Sequence, residues 1–130
     1  MLVAEESAII DIISNGRFNL GVGAGYQAQE FHGLGVDIAH SREMFNEYLE
    51  VVQACWEEGK TTFKGKFVDF EDIWVIPKPV QKPGPPIYIA VSTSPESVDN
   101  AARRGLPIIC LLYTSPSPRD LSTSRMPSSA

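Results

Sequence analysis

Short apolar runs alternate with amphipathic helical segments along this chain, and that alternation limits the folds open to it. The predicted strands are residues 18–23, 87–91 and 107–112. The predicted helices are residues 2–14, 41–58 and 95–104. Strands that alternate with helices indicate a parallel α/β sheet, because each helix carries the chain back to the start of the next strand.

The ends of two predicted helices carry clear boundary signals. Ser41 is a suitable N-cap for the middle helix, and Gly59 follows its last apolar turn. Ser94 precedes Pro95, which suits the first helical position, and Gly105 follows the last turn of the third helix. The first helix is predicted to pack through one apolar face, which contains Ala4, Ala8, Ile9, Ile12 and Ile13.

The connection between the first two strands is longer than a simple crossover. Residues 61–76 alternate weakly in polarity around Lys64-Gly65, which predicts a small β-hairpin. Five prolines in residues 77–86 exclude helix and central strand, and predict an extended, rigid connector. A loop without regular structure is expected at residues 25–35, which are rich in glycine and polar side chains.

The composition changes near Tyr113, where serine, threonine and proline begin to dominate. Such a segment buries too little apolar surface to offset its ordering entropy, so residues 113–130 are predicted to be a disordered tail. The tail also resembles translated vector sequence and is therefore expected to be non-native. Because the chain also begins within a predicted helix, we expect a fragment with one folded domain at residues 1–112.

Charge and composition exclude several classes of protein. The chain of 130 residues has 16 acidic and 11 basic side chains, a formal net charge of −5 and a pI near 4.9. Nucleic-acid-binding domains usually have a pI above about 9, so no nucleic-acid partner is expected. No apolar run reaches the roughly 18 residues of a membrane span, and the first residues lack a secretory signal. We expect a cytoplasmic protein.

Familiar motifs are incomplete in this sequence. Tyr26 stands where a dinucleotide fingerprint needs its third glycine, and Ala54 stands where a phosphate loop needs its first. His32 and His40 are isolated, so no metal site is predicted. Cys55 is expected in the core.

Cys110 is expected in the core as well, because it lies in an apolar run. The acidic side chains of the middle helix and the residues just after it are expected to be solvated. They are Glu47, Glu50, Glu57 and Glu58.

Two loops remain as candidate binding sites, because ligands of α/β folds lie beyond the carboxyl ends of the strands. Gly23 and Gly25 follow the first strand, and either admit a flat ligand to the main chain or simply make the turn. Thr93, Ser94 and Ser97 surround the amino end of a helix after the second strand. That end either binds a phosphate monoester or is merely capped by Ser94.

Three segments in order resemble the bacterial luciferase-like flavin monooxygenases, and the resemblance runs from about residue 4 to residue 109. They are SNGRFNLGVGAGYQAQEFHGLGVD, PKPVQKPGPPIYIA and SPESVDNAARRGLP. The resemblance implies a (β/α)8 TIM barrel that binds reduced FMN or, in some branches, a deazaflavin coenzyme at its mouth. A whole barrel takes about 250 residues, so this chain is expected to hold only the middle βα units.

The resemblance also implies roles for single residues. Gly23 would lie beneath the flavin ring, with Gly25 in the same loop, and Thr93, Ser94 and Ser97 would hold the phosphate. Ala24 matches a position where luciferases place a phosphate-binding arginine, so that contact is absent, which leaves the deazaflavin branch open. No catalytic residue is identified.

The implied reaction is the oxygenation of a small organic substrate by reduced FMN and O₂. A separate flavin reductase and, in the full-length protein, a homo- or heterodimer are the implied partners. The alternatives are a deazaflavin-dependent hydride-transfer enzyme of the same family and a non-catalytic flavin- or phosphate-binding relative.

Overall fold

The computed structural model describes residues 1–91 and 94–110. Its helices are α1 (Leu2–Ile13), α2 (Ala28–Gly33), α3 (Ser41–Trp56) and α4 (Pro95–Arg104), with a 3-10 turn at Ile38–His40. Its strands are β1 (Leu20–Val22), β2 (Thr61–Lys64), β3 (Asp69–Ile73), β4 (Ile87–Val91) and β5 (Ile108–Cys110). The predicted tail at residues 113–130 lies outside the described residues, as does the end of the third apolar run.

Strands β1, β4 and β5 form one parallel sheet in that order, as the alternation predicts. Leu20 pairs with Ile87, and Ile89 pairs with Ile108. When the hairpin strands are left aside, the order of the strands in the sheet is their order along the chain. Consecutive βα units have this arrangement. Closure into a barrel remains a prediction.

The main core lies where α1 and α3 cover the sheet. Its buried members are Ala4, Leu49, Val51, Cys55, Trp56, Val75 and Ile87. Trp56 also joins the two helices, since its indole Nε1 donates to the carbonyl oxygen of Ala4 at 3.1 Å. Burial raises the pKa of the Cys55 thiol, as expected for a core cysteine.

The hairpin predicted at residues 61–76 is present as the antiparallel pair of β2 and β3. Its turn is fixed to α3 by Glu47, whose carboxylate accepts hydrogen bonds from the backbone N–H groups of Lys66, Phe67 and Val68 at 2.9, 2.8 and 2.7 Å. Glu47 is thus half-buried and hydrogen-bonded, whereas Glu50, Glu57 and Glu58 are exposed as expected. The turn supplies N–H donors that periodicity within α3 cannot reveal.

The apolar face predicted for α1 is wrong in part. The helix buries Ala4 and Ala8 as expected, but its other inward residues are Ser7 and Asp11, and Ile13 is 79% exposed. Asp11 is fully buried because Gln81 satisfies its carboxylate, through the backbone N–H at 2.9 Å and the side-chain Nε2 at 2.7 Å.

The segment at residues 25–35 is not irregular, because it contains α2. Its glycines lie before the helix or at its end, so they do not interrupt the Ala28–Phe31 turn. Ser41 is the first residue of α3 and not its N-cap, because a 3-10 turn capped by Asp37 leads directly into the helix.

Two further expectations about burial are wrong. Cys110 is exposed, as β5 is exposed along its length. Strand β1 is shorter than predicted, with Leu20 and Val22 only half-buried. Within the described ranges, no helix is both long and apolar enough to cross a bilayer.

Candidate functional site

The loop after β1 brings main chain to the carboxyl end of the sheet. Gly25 has φ +75°, and a Cβ there would lie 3.1 Å from the ring of Phe31, so this position requires glycine for the turn. Gly23 is exposed, and a Cβ there would make only ordinary contact with Ala90 at 3.6 Å. The two glycines therefore differ: Gly25 shapes the loop, while Gly23 leaves its main chain open at the rim.

The amino end of α4 lies at the same end of the sheet. Ser94 occupies the N-cap position and Pro95 the first helical position, as predicted, but the Ser94 side chain does not cap the helix. Its hydroxyl donates instead to Oε2 of Glu96 at 2.6 Å. The interpretation of Ser94 as a plain capping residue is therefore not supported, because its side chain makes no hydrogen bond to the backbone N–H groups of the helix. Thr93 lies outside the described residues.

The two loops open into one cavity of about 420 Å³. Its lining is Gly23, Ala24, Gly25, Tyr26, Ser41, Arg42, Ala90, Ser94 and Ser97. The glycine loop and the serine helix end thus meet at one rim, which a shared ligand requires.

Arg42 is the residue of this site that the sequence did not reveal. It lies in the first turn of α3, and its Nη2 lies 3.3 Å from Oγ of Ser94 and 3.4 Å from Oε2 of Glu96. A cation in the first turn opposes the helix dipole, which is the one local signal that could have drawn attention to it. The guanidinium gives the cavity a planar donor suited to phosphate.

The electrostatics of this corner combine one cation and one carboxylate. The Ser94 hydroxyl, the backbone N–H of Glu96 itself and the charge of Arg42 together lower the pKa of the Glu96 carboxyl. Glu96 is therefore ionised at neutral pH. A neighbouring cavity of about 290 Å³ shares Arg42 and Ser97 with the first and is also lined by Arg103.

A more apolar cavity of about 200 Å³ also borders the glycine loop. It shares Gly23, Ala24 and Ser41 with the polar cavity, and its apolar lining is Phe31, Val36, Met44, Phe45 and Tyr48. The glycine loop therefore borders both an apolar cavity and the cavity lined by hydroxyl and guanidinium groups. A ligand with a flat apolar ring and an anionic tail fits this distribution.

The start of α3, which carries Arg42, is held in place by the hairpin. Lys66 pairs with Glu43 at 2.6 Å, and His40 lies 3.7 Å from the same carboxylate. The hydrogen bond and charge of Lys66 lower the pKa of Glu43, with a smaller contribution from His40. His40 thus lies beside a surface ion pair of Lys66 and Glu43, and the described residues contain no group of three or more side chains suited to hold a metal.

Comparisons with known proteins give matches to a family model, to curated sequences and to a solved structure. A sequence model described as luciferase-like monooxygenase matches residues 1–120. An uncharacterised protein of Mycobacterium tuberculosis is 31% identical over 150 aligned positions, which cover 92% of this chain and 53% of that protein. The oxygenase component of a flavin-dependent trigonelline monooxygenase from Acinetobacter baylyi is 31% identical over 105 residues, 79% of this chain and 29% of that protein.

A solved structure is similar as well. The monooxygenase RslO1 from Streptomyces bottropensis has a TM-score of 0.76 and 31% sequence identity, over 94% of this chain and 36% of that one. The chain thus spans about half of the Mycobacterium relative and about a third of the other two.

Proposed function

The chain belongs to the luciferase-like monooxygenase family, and from that premise we propose that it carries the cofactor-binding loops of an FMN-dependent monooxygenase. The observation that carries the proposal is the single cavity shared by Gly23–Gly25 and by Ser94, Ser97 and Arg42. An open main chain lies on one side of it and anion donors lie on the other. The relative from Acinetobacter baylyi is named as flavin-dependent, which supports the choice of cofactor class.

The donor chemistry of the cavity fits the phosphate of FMN. Ser94 and Ser97 offer hydroxyl groups, the amino end of α4 offers N–H groups, and Arg42 offers a guanidinium. Ala24 does not supply the arginine that luciferases place there, but Arg42 brings a cation from a different element. In this proposal Thr93 is a further phosphate ligand.

The ring of the flavin would lie against the glycine loop. Gly23 leaves its main chain accessible, and the apolar cavity beyond it is lined by Phe31, Met44 and Phe45. When bound, reduced FMN supplies the electrons with which O₂ is activated, so that one oxygen atom enters a small organic substrate and the other becomes water. The residues of this chain hold and orient the cofactor, and the catalytic groups are not assigned.

The partners follow from the same proposal. The Acinetobacter baylyi relative is named as an oxygenase component, which supports a separate flavin reductase that supplies reduced FMN. In this proposal, substrate, O₂ and a dimeric partner are properties of the whole protein. The relatives from Mycobacterium tuberculosis and Streptomyces bottropensis are about two to three times as long as this chain. A cytoplasmic location suits the dependence on a reductase.

The alternative within the family is a deazaflavin coenzyme, and Ala24 is the observation that favours it. A phosphate diester carries one charge where FMN carries close to two, so it needs fewer cations. In this structure the charge of Arg42 is partly neutralised by Glu96. A comparison of the affinities for FMN and for the deazaflavin coenzyme therefore tests which phosphate charge the site prefers.

The test is a titration of the full chain with FMN, riboflavin and the deazaflavin coenzyme, in wild type and Arg42→Ala. We expect FMN binding to weaken by about 10- to 100-fold in Arg42→Ala, since a charge-assisted pair to phosphate is lost. Riboflavin has no phosphate, so its affinity should not change. Arg17→Ala removes an exposed arginine remote from the cavity lining and is the matched control.

Other outcomes separate the alternatives. An equal loss for riboflavin and FMN would assign Arg42 a structural role and contradict the phosphate site. Tighter binding of the deazaflavin coenzyme than of FMN would favour the hydride-transfer enzyme. Substrate-dependent O₂ consumption by this protein in the presence of reduced FMN would reject the non-catalytic alternative.

A further inference from the structure

The phosphate donors of the candidate site already hold an anion, and that anion belongs to the chain. A single oxygen, Oε2 of Glu96, accepts from the Ser94 hydroxyl at 2.6 Å and lies 3.4 Å from Nη2 of Arg42. These are the hydroxyl and the guanidinium that line the cavity. A carboxylate oxygen and a phosphate oxygen make the same kind of contact with such donors.

The geometry limits the Ser94 hydroxyl to one anion at a time. Ser94 has one hydroxyl proton, and Glu96 accepts it. The Nη2 of Arg42 reaches both Ser94 and Glu96, while the other N–H groups of the guanidinium can donate to a second anion. A phosphate that is to accept from Ser94 must therefore first take the place of the Glu96 carboxylate.

The Glu96 side chain is free to leave. It is 64% exposed, and Arg42 is 60% exposed, so the carboxylate can return to water without crossing a packed core. Exposed ion pairs contribute little stability, and the cost of displacement is therefore small but real. The carboxylate competes with the ligand without preventing its binding.

We propose that Glu96 is an internal competitor that occupies the phosphate subsite when no cofactor is bound and weakens its affinity for the cofactor. The inference rests on the proposed phosphate site. It assigns Glu96 a role in setting affinity, in addition to the favourable position of an acidic side chain in the first turn of α4. A weakened subsite suits a cofactor that is exchanged with a separate protein.

The experiment compares wild type, Glu96→Gln and Glu96→Ala in the full chain, with FMN, inorganic phosphate and riboflavin as the probes. We expect both variants to bind FMN and phosphate about three- to tenfold more tightly, as expected for loss of an exposed, hydrogen-bonded ion pair. Riboflavin affinity should be unchanged. Far-UV circular dichroism checks that the total helix content is unchanged in each variant.

The control for net charge is Asp99→Asn. Asp99 lies on α4, is exposed, and carries the same charge as Glu96, but it does not line either cavity. We expect its effect on phosphate binding to stay within about twofold, because this exposed side chain lines neither cavity and exposed charges interact only weakly through solvent. An equal gain in Asp99→Asn and Glu96→Gln would overturn the inference, since general charge would then explain both.

The outcomes also distinguish this inference from the proposed function. If wild type binds FMN and the Glu96 variants bind it equally or more weakly, only the competitor role fails. If no variant binds FMN or phosphate, the phosphate site fails and the competitor role fails with it. Binding of phosphate by Glu96→Gln where wild type shows none would support the competitor role directly.

Discussion

At the scale of single residues, the candidate site depends on where three side chains direct their hydrogen bonds. The sequence placed Ser94 and Ser97 at a helix end, and the structure brings that end to the same cavity as Gly25. Ser94 is the informative member, because its side chain accepts no hydrogen bond from the backbone N–H groups of its helix. A side chain that could have capped the helix donates to the Glu96 carboxylate, an anion that a phosphate could replace.

The double variant Ser94→Ala with Ser97→Ala should therefore weaken FMN binding by more than tenfold. Each lost hydrogen bond to a charged group costs about 1.5–3 kcal/mol, and both hydroxyls line the cavity. Fluorescence titration with FMN measures the change. Thr62→Ala, which removes an exposed hydroxyl on β2, is the control. An unchanged affinity in the double variant would contradict the assignment of these serines.

Arg42 shows why part of the site could not be predicted from sequence. Its cation in the first turn of α3 is the one local signal, and it does not identify a ligand, since the partners Ser94 and Glu96 lie more than 50 positions away along the chain. Ser94 was predictable because Pro95 and Gly105 mark both ends of a helix that directly follows a strand. A residue that acts through a distant partner is revealed only when the fold brings the two together.

At the scale of elements, predictions were correct where the signal lies within one segment and wrong where a partner distant in sequence decides the outcome. Strand β4 and helix α4 were predicted closely, because the signals that define them lie within the segment itself. The inward face of α1 was predicted wrongly, because Asp11 is buried through Gln81, 70 positions away. A prediction from apolar periodicity assumes that polar side chains face solvent. That assumption fails where a residue distant in sequence satisfies the hydrogen bonds of a buried polar side chain.

The attachment of the hairpin to α3 gives a prediction at this scale. Although burial raises the pKa of Glu47, the N–H groups of Phe67, Lys66 and Val68 outweigh it, and the pKa lies below its ordinary 4.5. A group with a lowered pKa stabilises the fold above its ordinary pKa, and that stability is lost as the pH falls below about 4.5. We expect the turn to detach from α3 in that range.

Hydrogen exchange of the Lys66, Phe67 and Val68 amides measures that detachment. Exchange at these amides, corrected for its intrinsic pH dependence, should accelerate below pH 4.5 in wild type. In Glu47→Gln it should be fast at neutral pH as well. Glu71→Gln changes an exposed acid on β3 and should leave these amides protected. Continued protection in Glu47→Gln would show that the carboxylate does not hold the turn.

At the scale of the whole molecule, the described sheet leaves much apolar surface in solvent. Helix α1 exposes Ile9, Ile12 and Ile13, and β5 exposes Ile108 and Ile109. Within the described residues, β1 pairs on one side only, so its other edge presents unpaired backbone groups. Open strand edges and exposed isoleucines both favour association between chains.

We therefore expect the 130-residue chain to self-associate and to melt over a broad range of temperature. The double variant Ile9→Lys with Ile13→Lys places two charges on one side of α1. It should weaken association about tenfold or more, because burial of each isoleucine in an interface contributes roughly 1.5–3 kcal/mol. Leu34→Lys changes an apolar residue that is as exposed as Ile13 but follows α2, and it should have little effect. Sedimentation velocity over a range of concentrations measures the association. The wild-type chain could instead stay monomeric at all concentrations and melt sharply. That result would contradict the prediction, since it would show that the exposed isoleucines and the open edge of β1 do not drive association.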